Sequence, residues 1–169
     1  MIKAMRIFTF LVALGVLGCG ESAWQRAKSD HARLELPAYL EPTSELNPAG
    51  SLQFQSSVRE VYVVLIEDEL PPVEISLPAY ADLVTRYYHD LEHLELLGQE
   101  EMTMSSMPAL RRSWTVNAPG SEPSATMYCQ FLAAAGTARL FQVTACCPED
   151  ERDTYEPVLD RIVLSLSER

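Results

Sequence analysis

The sequence predicts an α+β domain, an antiparallel β-sheet of about six strands with two main helices. Three patterns carry that expectation. Two segments repeat apolar residues at steps of three and four, as one face of a helix requires. Several short runs alternate apolar with polar residues, as half-buried strands do. Pro and Gly signals separate successive runs by connections too short for parallel crossovers, so neighbours should be antiparallel. With 169 residues, no internal repeat and no low-complexity tract, the chain holds one ordinary domain and has no room for a second.

In chain order, Leu34-Glu35-Leu36 and Ser51-Leu52-Gln53-Phe54-Gln55 alternate on either side of a Pro48-Ala49-Gly50 turn and read as short strands at a sheet edge. Residues 58–67 are denser in β-branched and aromatic side chains, which predicts the central strand there. The first helix follows. Tyr80, Leu83, Val84, Tyr87, Tyr88, Leu91 and Leu94 fall on one apolar stripe, Ser76 caps the start, Pro78 fits the first turn, Ile75 staples onto Tyr80 and Gly98 supplies the stop. Strand-like runs at 99–104, 109–117, 125–133 and 138–146 come next, divided by Pro108, by Asn117-Ala118-Pro119-Gly120 and by Ala135-Gly136-Thr137. They predict a meander. Residues 154–166 carry Tyr155, Val158, Leu159, Ile162, Val163 and Leu166 at helical spacing, with Thr154 as the cap that places Pro157 in the first turn.

The N-terminus sets the address. Lys3 and Arg6 precede an apolar run at 7–17, interrupted by Thr9 and Gly15. That run is about half the ~20 residues a membrane-spanning helix needs, so it reads as a signal peptide. Val16-Leu17-Gly18-Cys19 resembles the bacterial lipobox, which implies cleavage between Gly18 and Cys19 and a lipid such as palmitate on Cys19. Residues 1–18 are then a lipoprotein signal peptide, 19–33 a lipidated polar tether, and 34–169 the folded domain. One expected partner is therefore the membrane, reached through the N-terminal lipid on the periplasmic side of the cell envelope. Gly20 stands where an inner-membrane retention signal has aspartate, which points to the outer membrane.

A formal net charge of −11 excludes nucleic acid as a partner, because phosphate neutralisation needs clustered bases. Three cysteines remain beyond Cys19. A bridge between adjacent Cys146 and Cys147 would close a strained ring, so Cys129 is expected to pair with one of them, leaving an odd thiol. No Cys-x-x-Cys spacing marks a redox or metal site. His89-Asp90-Leu91-Glu92-His93 fits the His-x-x-Glu-His order of zinc hydrolases, but no third ligand follows, and Leu91 at the centre of the apolar stripe would turn both histidines to solvent. Surface charge is the favoured reading; His89 and His93 stay as metal candidates. No Gly-x-Ser-x-Gly elbow or phosphate-binding loop is present. Asp68, Glu69 and Glu74, and Glu149-Asp150-Glu151, lack the spacing and glycine of a calcium loop. Arg112 and Trp114 share a strand face and form a candidate contact surface. No catalytic set and no cofactor are expected.

The order of parts resembles the PsbP-like family, which includes the DcrB lipoproteins and the Ran-binding Mog protein. Early Leu34-Glu35-Leu36-Pro37, the strand at 58–67, Ile75-Ser76-Leu77 before a helix with Tyr80, Ala81 and Leu83, and the closing Ile162-Val163-Leu164-Ser165-Leu166 carry the likeness. It implies an α-β-α sandwich and a non-enzymatic role in holding or assembling another protein, here an envelope protein. The Cys146-Cys147 pair departs from the family pattern. The alternatives are a metal-dependent hydrolase on the His89 and His93 pair and a small-ligand carrier.

Overall fold

Alternating side chains build most of the domain, and the connections between the alternating runs decide which strands meet. The computed structural model describes residues 23–70, 75–92, 94–117 and 125–169. Five strands come first: β1 Trp24–Lys28, β2 Ala32–Pro37, β3 Glu41–Pro42, β4 Leu52–Ser56 and β5 Val61–Glu69. Helix α1, Leu77–Glu92, leads into β6 Glu95–Met104, β7 Met107–Asn117, β8 Thr126–Ala135 and β9 Arg139–Pro148. A 3₁₀ turn, Glu149–Glu151, opens α2, Arg152–Leu164, and β10, Ser167–Glu168, closes the chain.

The meander expected over the second half is present: β6, β7, β8 and β9 are successive antiparallel neighbours. Helix α1 carries the chain from β5 to the far edge, and the meander brings β9 back to pair with β5. The large sheet thus has seven strands in the order β3-β4-β5-β9-β8-β7-β6, and its middle strand is β9, where residues 58–67 were expected. The earlier run also starts later, at Val61, because residues 57–60 turn and Glu60 takes a φ of 51°. Between β6 and β7 the reversal is a two-residue turn at Ser105 and Ser106, with φ of 47° and 73°, the geometry that suits a twisted hairpin. Pro108, expected to separate these strands, lies within β7, one residue before pairing with β8 begins at Ala109.

The folded domain begins earlier than the expected residue 34. Trp24–Lys28, read from sequence as part of a polar linker, is a strand that pairs with β2 from Trp24↔Pro37 to Lys28↔Arg33. Its apolar residues, Trp24 and Ala27, are three apart, so no period of two announces it. Backbone pairing holds it, with the Gln25 side-chain amide donating to the Leu40 carbonyl at 2.8 Å and the Arg161 guanidinium 3.8 Å over the Trp24 ring. β2, expected at the edge of the main sheet, is the middle strand of a second, three-stranded sheet, β1-β2-β10.

Both faces of the large sheet are covered. One face carries Val61, Val63, Leu65, Tyr128, Leu132, Phe141, Val143 and Cys147, packed with Leu159, Ile162 and Val163 of α2 and with Leu34 and Leu36 of the small sheet. The other carries Leu110, Trp114, Phe131 and Leu140, packed with Tyr80 and Ala81 of α1. The start of α1 follows its sequence signals: the Ala79 amide donates to Ser76 Oγ at 3.4 Å, and Ile75 packs in the cluster that holds Tyr80. Its apolar stripe buries Tyr80 and Ala81 and half-buries Val84, while Leu83 faces solvent; the Tyr87, Tyr88 and Leu91 side chains lie outside the described residues. Gly98 does not stop it; α1 ends at Glu92, and Gly98 sits in β6, where the register slips between Leu96 and Gly98. Helix α2 starts at Arg152, not Thr154, after a 3₁₀ turn that replaces a side-chain cap, so Pro157 lies inside the helix.

Candidate functional site

Arg112 and Trp114 do share a face of β7, but that face lies under α1. They are 5% and 1% exposed, so they form no contact surface. Arg112 instead fastens α1 to the edge of the sheet. Its Nε donates to Gln99 Oε1 at 2.8 Å and its Nη1 to Thr85 Oγ1 at 2.7 Å, and Nη2 pairs with Asp82. A guanidinium this deep is tolerated because three partners replace its water. Asp68 performs a similar task at the helix start, accepting from Tyr80 Oη and, at 3.1 Å, from the Gln142 amide.

These two fastenings position the longest open feature of the molecule. β6 ends the large sheet and, among the described residues, has no strand on its outer side; the opposite edge, β3, is only two residues long. Glu95, Leu96, Leu97, Gln99, Glu100 and Glu101 are all exposed along β6. Leu96 and Leu97 are 48% and 41% exposed, with Leu83 of α1 at 56%. An edge of this length presents a row of backbone donors and acceptors that another strand can take up. Its glutamates and its register slip limit what can pair: an acidic edge repels an acidic strand and admits a basic one.

A second feature lies on the α2 side of the same end of the sheet. A cleft of about 420 Å³ is lined by Gly98, Glu100, Arg111, Ser113 and Gln130 of the strands and by Glu156 and Asp160 of α2. Arg111 bridges Glu100 at 3.1 Å and Asp160 at 3.4 Å. Glu156 accepts from Tyr128 Oη and pairs with Arg152 at 3.4 Å. The Tyr128 bond, aided by Arg152 and opposed by desolvation, holds the Glu156 carboxyl below the usual carboxylate range. Burial pushes Asp160 the other way, with Arg111 opposing. Two carboxylates one helical turn apart are thus in unlike environments.

Among the described residues the cysteines carry no nucleophile. Cys129 and Cys146 face each other in the β8–β9 register and are joined as a disulfide on the α1 side. Cys147, on the opposite face, is free and buried, and burial, reinforced by Glu149 and Glu151, pushes its thiol up to about 12. At that value the reactive thiolate is negligible near neutral pH. Gly18, Cys19, Glu74 and the His89 and His93 side chains lie outside the described residues. Among the described residues no three His, Cys, Asp or Glu side chains converge to hold a metal ion. Glu149 pairs with Arg152 at 3.8 Å, a charge contact at the opening of α2.

The sequence matches no protein-family model and no curated protein. Its structure is similar to several solved ones. The cyanobacterial PsbP (CyanoP) of Synechocystis is 16% identical with a TM-score of 0.65, over 92% of this chain and 99% of that one. The Ran-binding protein Mog1p of Saccharomyces cerevisiae is 10% identical with a TM-score of 0.60, over 87% and 96%. LpqN of Mycobacterium tuberculosis, a protein involved in cell envelope biogenesis, is 12% identical with a TM-score of 0.56, over 86% and 90%. Identities this low leave the architecture as the shared property. The chain therefore has the antiparallel α+β fold of CyanoP, LpqN and Mog1p, the PsbP-like fold.

Proposed function

We propose that this chain is a lipid-anchored protein of the bacterial cell envelope whose PsbP-like domain holds a second protein, without catalysis, by accepting a strand of that protein at β6. The open ten-residue edge of β6 is the observation that carries this reading. Main-chain hydrogen bonds along it supply affinity, and Leu96 and Leu97 supply apolar contact. Glu95 and Glu101 select a basic strand over a second copy of a chain whose net charge is −11. The Cys129–Cys146 disulfide fits an oxidising, extracytoplasmic compartment, as the reading of Cys19 as the lipid attachment site requires. LpqN, with the same fold, is involved in cell envelope biogenesis, and Mog1p binds Ran, so a part in envelope biogenesis and protein binding both occur on this scaffold. Gly20 favours the outer membrane as the destination.

Protein solubilised from envelopes provides the test. Intact mass is expected to place the mature N-terminus at Cys19 with acyl chains attached; an unmodified thiol there ends the anchoring proposal. On native gels the wild type is expected to migrate as a complex larger than the monomer. The double variant Glu95→Lys and Glu101→Lys should lose roughly 90% or more of that complex, since rim charges of the wrong sign cost several kcal/mol. Monomer alone in the wild type, or a complex indifferent to the reversal, would end the edge proposal.

A further inference from the structure

The cleft beside α2 has a chemical imbalance. Gln130 is 3% exposed and lines it. Its amide nitrogen donates to Tyr128 Oη at 2.7 Å, while its Oε1 is buried with no hydrogen-bond partner among the described residues. Asp160 Oδ1 is in a similar state: it makes no hydrogen bond and has only the 3.4 Å ion-pair contact with Arg111. Leaving such acceptors unpaired costs about 1–3 kcal/mol each. Gly98 keeps the floor open, because a β-carbon there would come within 3.2 Å of Ser113 Oγ.

Acceptors exceed donors around this space. Gln130, Glu100 and Asp160 accept, while both Glu156 oxygens are already taken by Tyr128 and Arg152; Arg111 and Ser113 donate, and Arg111 is already divided between two carboxylates. Arg112 also lines the cleft, but its guanidinium is spent on Asp82, Thr85 and Gln99 on the α1 side. A ligand that completes the set must bring N–H donors and positive charge. A bare metal ion does not suit, since no three carboxylate, imidazole or thiol groups converge among the described residues. A space of about 420 Å³ is in the range of small-molecule pockets.

We infer that this cleft is a binding subsite for a guanidinium or primary ammonium head group, with the Gln130 carbonyl oxygen and the Asp160 carboxylate as its acceptors and Glu156, held by Tyr128 and Arg152, adding negative charge beside them. The head group enters on the α2 side, so occupation does not require a strand at β6.

Calorimetric titration of the full chain in detergent tests this with two probes. Agmatine is a free small cation with both head groups; an acetylated, amidated Gly-Arg-Gly tripeptide presents the guanidinium from a polypeptide. Saturable binding of at least one probe is expected, weakened roughly tenfold or more by Gln130→Leu, since a charge-assisted hydrogen bond is worth about that factor. Gly98→Val, which fills the floor from an exposed edge strand and leaves the core untouched, is expected to weaken the same probe comparably. Tighter binding of agmatine assigns a free amine, and tighter binding of the tripeptide assigns a side chain of a bound polypeptide; either supports the subsite. No saturable heat with either probe, or binding unchanged in both variants, overturns it.

Discussion

Trp114→Ala is expected to cost about 3–5 kcal/mol, the range for truncating a buried aromatic side chain. Trp114 is almost fully buried beneath α1, its ring centroid 5.2 Å from that of Phe131, in the cluster that also holds Leu110, Tyr80 and Leu140. Its register neighbours are Leu96 on β6 and Cys129 on β8, so it joins the helix, the edge strand and the disulfide-bearing strand. Removing the indole opens a cavity that these elements cannot close without moving α1 off the Arg112 fastening. Most domains have only about 5–15 kcal/mol in total, so the variant should be near its threshold. In urea the unfolding midpoint should fall by roughly 2 M for a slope in the usual range of 1–3 kcal/mol/M. A shift below about 0.5 M would mean that α1 does not pack on this face as described.

Removing the Cys129–Cys146 bond is expected to cost about 3 kcal/mol. The cysteines are 17 residues apart, and closing a loop of about this length restricts the unfolded chain by about that amount. The native sheet gains little from the bond, because β8 and β9 already pair along their whole length. The effect should therefore appear as a lower midpoint for Cys129→Ala with Cys146→Ala, with the circular dichroism of the folded state unchanged. Equal stability of the variant and the oxidised wild type would contradict the pairing. Cys147 is no substitute partner, since it faces the α2 side in the opposite core.

Much of the second half of the chain was legible because alternation flags β7 and β9 and short connections separate the runs, whereas β6 begins at Glu95, ahead of the expected Gln99, where the adjacent Leu96 and Leu97 break any alternation. The start of α1 was legible for a similar reason: Ile75, Ser76 and Tyr80 act within one helical turn. What sequence did not disclose depends on partners far along the chain. β1 has no alternation and is held by β2 and by Arg161, more than a hundred residues away. The rank of β9 as the middle strand follows from where α1 delivers the chain. The turn at Ser105 and Ser106 takes positive φ without the glycine or asparagine that usually signals it. Arg112 read as a surface residue by type, and only the approach of Asp82 and Thr85 from α1 makes its burial tolerable.

Neither candidate site was legible, and the causes differ. β6 is open because of its place in the sheet order, a property of topology that no local pattern encodes. The cleft collects Gly98 from β6, Gln130 from β8 and Glu156 and Asp160 from α2, so no spacing in the sequence corresponds to it. Its one local sign was the Glu156 and Asp160 pair at an interval of four in the second helix, which places both on one face.

Site-specific photocrosslinking in intact cells tests strand addition at β6 most directly. A photoreactive residue at Leu97, on the exposed edge, is compared with one at Leu164, exposed on α2. The edge position is predicted to give one dominant adduct with a single protein through a basic segment, and the α2 position none of that species. The same adduct pattern from both positions, or no adduct at Leu97, would contradict the reading of β6 as the surface by which this domain holds its partner.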